Sequence, residues 1–394
     1  MEHLFRQGKL GNLILQNRLV HSATYEGMAS ASGEVTEELL RRYKDLARGG
    51  VGLITPGYMY IHPQGRAMKN QTGIHSDKML PGLKELTATV HKAGGKVIFQ
   101  LSHAGRQTSK KLIGRVPMAP SGRNRDPVYQ VKPKRMTARD IARTVKTFGD
   151  AAARAVRVGA DGIQIHACHC YLINEFLSPY FNTRNDAWGG TDEKRFRFLK
   201  SIVLEVRKEM PNGMPLLVKL NANDFTPEEG VTVPLAARYA GWLAELKIDV
   251  LEISCGSPVY SFMNMCRGRV PVEEIVGGLP ILKKPLALLK LKSMEGKYDL
   301  EEGYNLDAAM KIKPKIGNMP LILVGGMRRA SQMEYILRQG YADFISMSRP
   351  FIREPSLAKK FKKGKQDVAA CTSCNKCLAA AANNQAVKCY YKKK

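Results

Sequence analysis

Eight apolar runs rich in β-type residues alternate along the chain with segments of helical periodicity. The runs span Leu19–Thr24, Val51–Pro56, Lys96–Ser102, Gly162–Ala167, Leu216–Ala222, Val250–Gly256, Leu321–Gly326 and Asp343–Arg349. The helical segments lie near residues 36–48, 77–93, 137–158, 191–210, 232–247, 304–314 and 330–339. This alternation predicts parallel strands joined by crossover helices, and eight units predict a closed (β/α)8 TIM barrel of the α/β class. An open doubly wound sheet is the alternative.

Three segments stand outside this alternation. Residues 8–16, GKLGNLILQ, predict a hairpin that forms a lid over the N-terminal end of the barrel. Two long connections, 103–136 and 256–303, follow predicted strands and predict loops that shape a ligand pocket. Four cysteines lie after the last predicted strand. We therefore predict a barrel over residues 1–362 and a cysteine-rich tail over residues 363–394 that packs on it.

Charge and cysteine content limit the environment of the protein. The chain has 62 Lys and Arg residues against 35 Asp and Glu residues, a net charge of +27, which indicates a solvated basic surface or anionic partners. No run of about 18 apolar residues occurs, so we expect no membrane-spanning helix. The N-terminus lacks the apolar core of a secretory leader. Eight cysteines, four of them from residue 371 onward, favour a reducing, cytoplasmic compartment and a metal site over a disulfide framework.

The fourth predicted strand ends in an unusual group of side chains. His166, His169 and Tyr171 follow one another within six residues, where the apolar run stops. Imidazoles and a phenol are poor core residues because their polar atoms need partners, but they suit the binding of a polar ligand above a barrel. The residues alone leave two other interpretations open, namely satisfied buried polar groups and a pair of metal-ligating histidines.

The segment HACHCYLINEFLSPYFNTRNDAWGG, which contains these residues, resembles the part of the Old Yellow Enzyme family that follows its fourth barrel strand. That family, also called the NADH:flavin oxidoreductase family, holds FMN in a (β/α)8 barrel and reduces activated C=C bonds. The resemblance implies that His166 and His169 bind the carbonyl oxygen of the substrate, and that Tyr171 donates the proton. Tyr25 would also face the substrate, where relatives carry threonine or cysteine.

The resemblance extends to residues that would hold FMN. Gly325 and Gly326 end the seventh run, and Ser348 and Arg349 end the eighth, where barrels commonly bind phosphate. The family implies that Gln100 binds the polar edge of the flavin ring, and that Lys219 stands where many relatives carry arginine. The remaining flavin contacts that the resemblance implies are Ser22, Ala23, Thr24 and Gly57.

The last residues carry a second cofactor signal. Cys371, Cys374 and Cys377 have CxxCxxC spacing and precede Cys389, a set of thiolates that suits an iron–sulfur cluster or zinc. The resemblance favours [4Fe-4S], because an iron–sulfur-containing, dienoyl-CoA reductase-like branch of the family has such a cluster here. Relatives in that branch continue into nucleotide-binding domains that feed electrons to the cluster, and we expect none of these domains in this chain. We therefore expect its electrons to come from NAD(P)H or from a reduced ferredoxin-like or reductase partner.

These observations predict an FMN-dependent ene-reductase that acts on small unsaturated carbonyl compounds. Arginines in the two long connections favour substrates with carboxylates or phosphates. A flavin-dependent amine dehydrogenase or demethylase is a second hypothesis, and a basic RNA- or anion-binding barrel is a third. The sequence argues against nucleic acid, because no RNA-binding domain accompanies the barrel, and it leaves a homo-oligomer open. The arginines in question are Arg106, Arg115, Arg123, Arg125, Arg267 and Arg269.

Overall fold

The computed structural model describes residues 1–123 and 125–391. Each of the eight predicted runs contains a strand: β1 Leu19–His21, β2 Leu53–Ile54, β3 Ile98–Ser102, β4 Gly162–Ala167, β5 Leu216–Asn221, β6 Val250–Ser254, β7 Leu321–Val324 and β8 Phe344–Met347. All neighbouring pairs are parallel, and β8 pairs with β1. A bridge between Ile54 and Val97 joins β2 to the start of β3 and closes the cylinder. The predicted barrel is confirmed.

Helices connect the strands as the periodicity predicts. They are α1 Glu37–Arg48, α2 Leu80–Lys92, α3 Ala138–Arg157, α4 Asp192–Lys208, α5 Val233–Glu245, α6 Leu306–Ile312 and α7 Ala330–Arg338. Thr137 begins α3 with a capping box in which its hydroxyl accepts from the Asp140 amide and the Asp140 carboxylate accepts from the Thr137 amide. Thr191 caps α4 in the simpler way, by accepting from the Lys194 amide. These caps satisfy amides that the first helical turn leaves free.

The remaining elements are short. A two-residue strand, Met59–Tyr60, extends the sheet beside β3, and Met118–Ala119 pairs with Lys134–Arg135. Short helices cover Glu2–Phe5, Pro63–Gly65, Asp77–Met79, Lys110–Ile113, Leu172–Leu177, Phe262–Met265, Val272–Gly277, Ile281–Lys283, Lys284–Lys292, Lys313–Lys315, Arg349–Arg353, Leu357–Lys362 and Lys376–Ala382. None of the helices found in residues 1–123 and 125–391 is long and apolar enough to cross a bilayer.

The N-terminal hairpin closes one end of the barrel. Its strands are Gly8–Leu10 and Leu13–Leu15, and they pair antiparallel. Leu10 and Leu15 are fully buried and pack against inward-facing residues of the barrel strands. Because apolar side chains fill this end, polar chemistry is left to the opposite rim, where the strands end. The predicted hairpin and its position are confirmed.

The long connection between β6 and α6 has its own small core. Met263, Val270, Val272 and Leu291 are buried together beneath the helices of this segment. The helix Val272–Gly277 also contacts Lys376–Ala382 of the cysteine-rich tail. The tail binds the barrel further on, where the Val387 amide donates to the Glu26 carbonyl at 2.7 Å. A domain boundary near residue 362 stays a prediction.

Candidate active site

A chain of hydrogen bonds crosses the inside of the barrel and joins several predicted site residues. Gln100 Nε2 on β3 donates to Gln164 Oε1 on β4 at 2.7 Å, and Gln164 Nε2 donates to Glu252 Oε2 on β6 at 2.7 Å. Ser22 Oγ donates to Glu252 Oε1 at 3.0 Å, and Lys219 Nζ lies 3.0 Å from the same oxygen. Because β1, β4 and β6 are not neighbours, these bonds span the interior. The network fixes the orientation of Gln100 and Lys219.

Glu252 changes what Lys219 offers to a ligand. The Lys219 and Glu252 side chains are 3% and 0% exposed, so the two charges compensate each other away from water. Lys219 Nζ also donates to Ser22 Oγ at 2.7 Å. Sequence reasoning identified Lys219 but missed Glu252 and Gln164. The sequence does contain a signal for Glu252, which is the single acid within the apolar run VLEIS. A carboxylate on a buried strand needs a partner, so this residue could have been predicted to pair with a buried cation.

A tight turn after β4 brings the two predicted histidines together. His169 and Cys170 both have left-handed backbone angles, with φ of 61° and 55°. The Asn221 side chain accepts from the His169 amide at 3.1 Å, and the Asn174 side chain accepts from the Cys170 amide at 2.6 Å. These amide bonds hold a conformation that is costly for residues other than glycine. As a result, the His166 and His169 rings meet edge to face, with centroids 5.2 Å apart.

His166 is buried, His169 is half-buried, and both imidazoles are uncharged at neutral pH. His166 Nε2 lies 3.2 Å from His169 Nδ1, and His169 Nε2 lies 2.8 Å from Ser254 Oγ. Burial, with the nearby Lys219 charge, holds the pKa of each imidazole well below its usual range. His166 Nδ1 is buried and has no hydrogen-bond partner within the described part of the chain. A buried polar atom of this kind is suited to a ligand.

Tyr171 stands beside this pair and is joined by Tyr58. The Tyr171 hydroxyl donates to Tyr58 Oη at 2.9 Å, and its ring lies 4.9 Å from that of His166. Burial raises the pKa of both phenols, so both stay protonated at neutral pH. The structure thus brings the three predicted catalytic residues into one cluster. Tyr58 was missed, although it directly follows Gly57 and lies next to the second strand end.

The predicted metal alternative has a geometric basis but an unfavourable protonation state. Donor atoms of His166, Cys168 and His169 lie within 4.8 Å of one another. Burial raises the pKa of Cys168 well above its usual value, however, and metal ions bind the thiolate. Coordination would remove that proton from the thiol.

Predicted phosphate-binding residues lie at the ends of β7 and β8. Gly325 and Gly326 have φ of 139° and 69°, and a Cβ at either position would contact Tyr304 at about 3 Å. Ser348 Oγ lies 2.6 Å from Thr24 Oγ1. Arg349 Nη1 donates to the Arg267 carbonyl at 2.8 Å.

Arg349 has a donor set that fits an anion. Its Nη1 also donates to Asn375 Oδ1 at 2.5 Å, so both acceptors are neutral. Over residues 1–123 and 125–391, no carboxylate forms an ion pair with this guanidinium. The glycine turns and this uncompensated cation fit a phosphate. Together with the fixed Gln100 amide, the residues present fit FMN.

Other predicted flavin contacts have bonds within the protein. The Gly57 amide donates to Glu26 Oε1 at 2.6 Å, and a Cβ at Gly57 would overlap the Glu26 carboxylate. The Ser22 amide donates to the Met347 carbonyl at 2.9 Å. Ala23 and Thr24 are half-buried at the rim.

Tyr25, the residue predicted to face the substrate, has its polar atom engaged within the protein. The Tyr25 hydroxyl donates to the Lys69 carbonyl, and burial raises the pKa of Tyr25 to about 12. Because its hydroxyl is engaged in this bond, Tyr25 offers a ligand its ring and not its hydroxyl.

The cysteine-rich tail forms a compact loop beside Arg349. Ser373 and Asn375, which separate Cys371, Cys374 and Cys377, have φ of 55° and 56° and fold the loop back on itself. Burial raises the pKa of Cys377 to about 12. Cys389 is exposed.

A second element packs against this loop. Asn375 Nδ2 donates to the Cys266 carbonyl at 2.8 Å and to the Arg269 carbonyl at 3.0 Å. Cys266 therefore lies beside the predicted ligands, and sequence reasoning missed it because it is more than 100 residues from them. Within residues 1–123 and 125–391, three or more metal-donor atoms converge only at His166, Cys168 and His169, so the structure does not gather the tail cysteines into one ligand set. The tail cysteines as ligands of an iron–sulfur cluster or zinc stay a prediction.

Comparisons with known proteins identify the family of this chain. The family model described as "NADH:flavin oxidoreductase / NADH oxidase family" matches residues 3–269 and 284–368. An NADH oxidase of Thermoanaerobacter brockii is 33% identical over 380 residues, 95% of this chain and 53% of that protein. A 4,4'-dithiodibutanoate disulfide reductase of Rhodococcus erythropolis is 32% identical over 376 residues, 95% of this chain and 92% of that protein.

A solved structure gives the same result. The structure of 2-naphthoyl-CoA reductase with 2-naphthoyl-CoA superposes with a TM-score of 0.85 at 25% identity, covering 98% of this chain and 56% of that one. The chain thus spans about half the length of this reductase and of the NADH oxidase. The predicted family is confirmed, and with it the predicted class of enzyme. The chain belongs to the NADH:flavin oxidoreductase / NADH oxidase family of FMN-dependent oxidoreductases.

Proposed function

We propose that the protein reduces the C=C bond of an α,β-unsaturated carbonyl compound. The observation that carries this proposal is the neutral His166–His169 pair beside the protonated Tyr171 at the end of β4. Neutral imidazole N–H groups can bind a carbonyl oxygen, and a protonated phenol can supply a proton. Reduction of a conjugated C=C bond requires both functions.

The histidine pair would stabilise negative charge on the substrate oxygen. When hydride adds at the β-carbon, the electron pair of the C=C bond moves toward the carbonyl, and the oxygen acquires the charge of an enolate. Ser254 Oγ, 2.8 Å from His169 Nε2, fixes the orientation of that ring. Because the site is buried, donors there stabilise charge more strongly than they would in water.

Tyr171 would complete the reaction by donating its hydroxyl proton to the α-carbon. The bond from Tyr171 to Tyr58 places a second phenol where it can return that proton. Burial, which raises the pKa of both phenols, keeps this pair protonated until the enolate forms. The net addition is one hydride and one proton across the double bond.

Bound FMN would supply the hydride from its reduced form, which NAD(P)H or a reduced carrier protein regenerates. Gln100 and Lys219 would bind the ring, with Ser22, Ala23, Thr24 and Gly57 around it. Gly325, Gly326, Ser348 and Arg349 would bind the phosphate, and Tyr25 would border the substrate.

A [4Fe-4S] cluster held by Cys371, Cys374, Cys377 and Cys389 would relay electrons to the flavin. The position of this loop beside Arg349, at the β8 end of the rim, supports that role. Zinc in the same thiolates is the alternative. A ferredoxin-like protein or a reductase subunit would deliver the electrons, and the net charge of +27 favours an acidic carrier. Delivery from such a carrier should slow as salt rises.

The substrate class that we propose is a small unsaturated compound with an anionic group. Arg115, Arg125 and Arg269 are exposed in the two long connections and are available to such a group, whereas the exposed Arg123 lies 4.0 Å from the Glu228 carboxylate. Arg267 forms an ion pair with Glu301, and Arg106 lies 3.8 Å from Asp126, so these two are less available. That 2-naphthoyl-CoA reductase has this fold is in keeping with an anionic substrate.

An anaerobic half-reaction tests the function directly. Enzyme loaded with FMN is first reduced chemically and then mixed with cinnamaldehyde or cinnamate, and oxidised enzyme is mixed separately with trimethylamine, while flavin absorbance is followed. We expect the enal or the acid to reoxidise the flavin, and the double variant His166→Ala/His169→Ala to lose this reaction while still binding FMN. If no conjugated carbonyl compound reoxidises the flavin, or if simple amines reduce it efficiently, the amine dehydrogenase hypothesis is preferred.

A further inference from the structure

A two-part helical segment in the connection between β6 and α6 exposes a row of aliphatic side chains. It consists of Ile281–Lys283 and Lys284–Lys292, and its first part lies between the two stretches that match the family model. Ile281, Leu282, Leu286 and Leu289 are 81%, 96%, 76% and 70% exposed. No other large hydrophobic side chain in the described residues exceeds 59% exposure. Clustered exposure of this kind marks a binding surface.

The row follows helical geometry. Leu282, Leu286 and Leu289 are spaced four and three residues apart, so they lie on one face of the helix. The opposite face points inward, where Leu291 is buried against Met263 in the small core of this connection. The inner contact already anchors the helix, so the outer leucines are not needed for folding. They form an unpartnered apolar ridge, which we call the leucine ridge.

Lysines border the leucine ridge on both sides. Lys283 and Lys290, seven residues apart, lie on one flank, and Lys292 lies on the other; all three are exposed. A long lysine side chain can extend its ammonium group beside an apolar surface and reach anionic groups at the boundary of that surface. Apolar residues flanked by lysines are typical of helices that lie in the plane of a membrane.

We propose that the leucine ridge binds the surface of a membrane rich in anionic phospholipid. The aliphatic side chains would enter the boundary between headgroups and acyl chains, and Lys283, Lys290 and Lys292 would contact the lipid phosphates. The protein's net charge of +27 adds long-range attraction to the same surface. This contact is peripheral, in keeping with the absence of a membrane-spanning helix from the part of the chain that the structure describes.

Charge argues against a second copy of the chain as the occupant. In a two-fold symmetric contact, the same surface faces itself, so the ridge would place lysines opposite lysines. An acidic protein could match the lysines, but it would also need a groove to receive a convex row of four nearly free aliphatic side chains. A bilayer boundary accepts such a row without any preformed groove.

Vesicle co-sedimentation of the purified full chain tests the proposal. The probes are vesicles of phosphatidylglycerol and phosphatidylcholine in equal parts, compared with phosphatidylcholine alone. We expect binding to the anionic vesicles that is at least about tenfold tighter than to the neutral ones, because each lysine near the surface contributes. The double variant Leu286→Gln/Leu289→Gln should weaken anionic binding by at least about tenfold, since two leucines would no longer be buried. Lys283→Gln/Lys290→Gln should weaken it and reduce its salt dependence.

The matched control is Leu204→Gln, which replaces a leucine that is 47% exposed on α4, away from the ridge. It should bind vesicles as the parent protein does. Equal binding to both vesicle types, absence of binding, or undiminished binding by the leucine variant would overturn the proposal. If instead the parent is a dimer in light scattering and the leucine variant a monomer, the ridge is a contact between copies and the membrane assignment is wrong. Each variant changes only exposed side chains, and its thermal midpoint verifies its folding.

Discussion

The buried pair of Lys219 and Glu252 provides the sharpest test of the barrel interior. Replacing Glu252 by Gln keeps the size of the side chain but removes its charge. Lys219 would then be a buried cation without its partner. The mutation also disturbs a carboxylate that accepts from Ser22 at 3.0 Å and from Gln164 at 2.7 Å. We therefore expect Glu252→Gln to lower the free energy of unfolding substantially.

The geometry sets the size of this effect. At an effective dielectric constant of about 20, unit charges 3.0 Å apart attract by about 5.5 kcal/mol. Desolvation offsets much of that attraction in the intact pair, but removal of one partner leaves the cost of the other. The expected loss in the free energy of unfolding is about 3–5 kcal/mol. The double variant Lys219→Met/Glu252→Gln should lose about 1–3 kcal/mol less than the sum of the two single variants.

Urea denaturation at pH 7 measures these differences, and an exposed pair supplies the control. Lys146 Nζ and Asp150 Oδ1 are also 3.0 Å apart, but their side chains are 73% and 45% exposed. Asp150→Asn should therefore change the free energy of unfolding by less than about 1 kcal/mol. If Glu252→Gln costs no more than Asp150→Asn, or if the single variants are additive, the two charges are not coupled and the reasoning is refuted.

Three further predictions concern the site and its surroundings. Tyr171→Phe should slow substrate reduction by about 10²- to 10⁴-fold without changing anaerobic flavin reduction, and an unchanged rate in stopped-flow would exclude Tyr171 as the acid. Cys377→Ser should lower bound iron but not bound FMN, and full iron content would remove Cys377 from the ligand set. Burial lowers the pKa of His21 to about 3 in the folded protein, so the unfolded chain takes up a proton below pH 6.5 that the folded chain does not. Stability should therefore fall from pH 6.5 toward pH 3. The difference in the free energy of unfolding between the parent and His21→Gln, measured by urea denaturation, should change by about 1.4 kcal/mol per pH unit. A difference that stays constant with pH would contradict the lowered pKa of His21.

Local signals predicted most of the barrel, because each strand and helix is encoded by its own residues. The bounds of β4, Gly162–Ala167, agree with the prediction. The runs of β7 and β8 were predicted too long, and both strands end before the predicted binding residues. At the end of β7, Gly325 with φ of 139° leaves the extended conformation, so the ladder stops at Val324. Turn residues at a strand end were counted as strand because they directly follow an apolar run.

Contacts distant in sequence were not predictable in the same way. Glu252 meets Ser22 from 230 positions away, and Tyr171 meets Tyr58 from 113 positions away. Only closure of the cylinder brings such residues together. The alternation predicts that the barrel closes, but it does not predict which inward side chains touch. The end of the fourth apolar run identified the histidines and Tyr171, and the family resemblance supplied their roles, whereas the structure supplied the groups that orient them.

The distribution of charge around the rim bears on how a flavin nucleotide would lie. Lys219 is compensated by Glu252, so its side of the barrel offers polarised hydrogen-bonding groups with little net charge. Arg349 meets only neutral acceptors and keeps its charge available to a ligand. An FMN phosphate carries most of the charge of the cofactor, and so it would be attracted to the β7–β8 side. The ring would then be left to Gln100 and Lys219, within the same interior network that orients them. We therefore propose that charge compensation inside the barrel selects one orientation of the cofactor, with its ring toward the histidine pair at the end of β4.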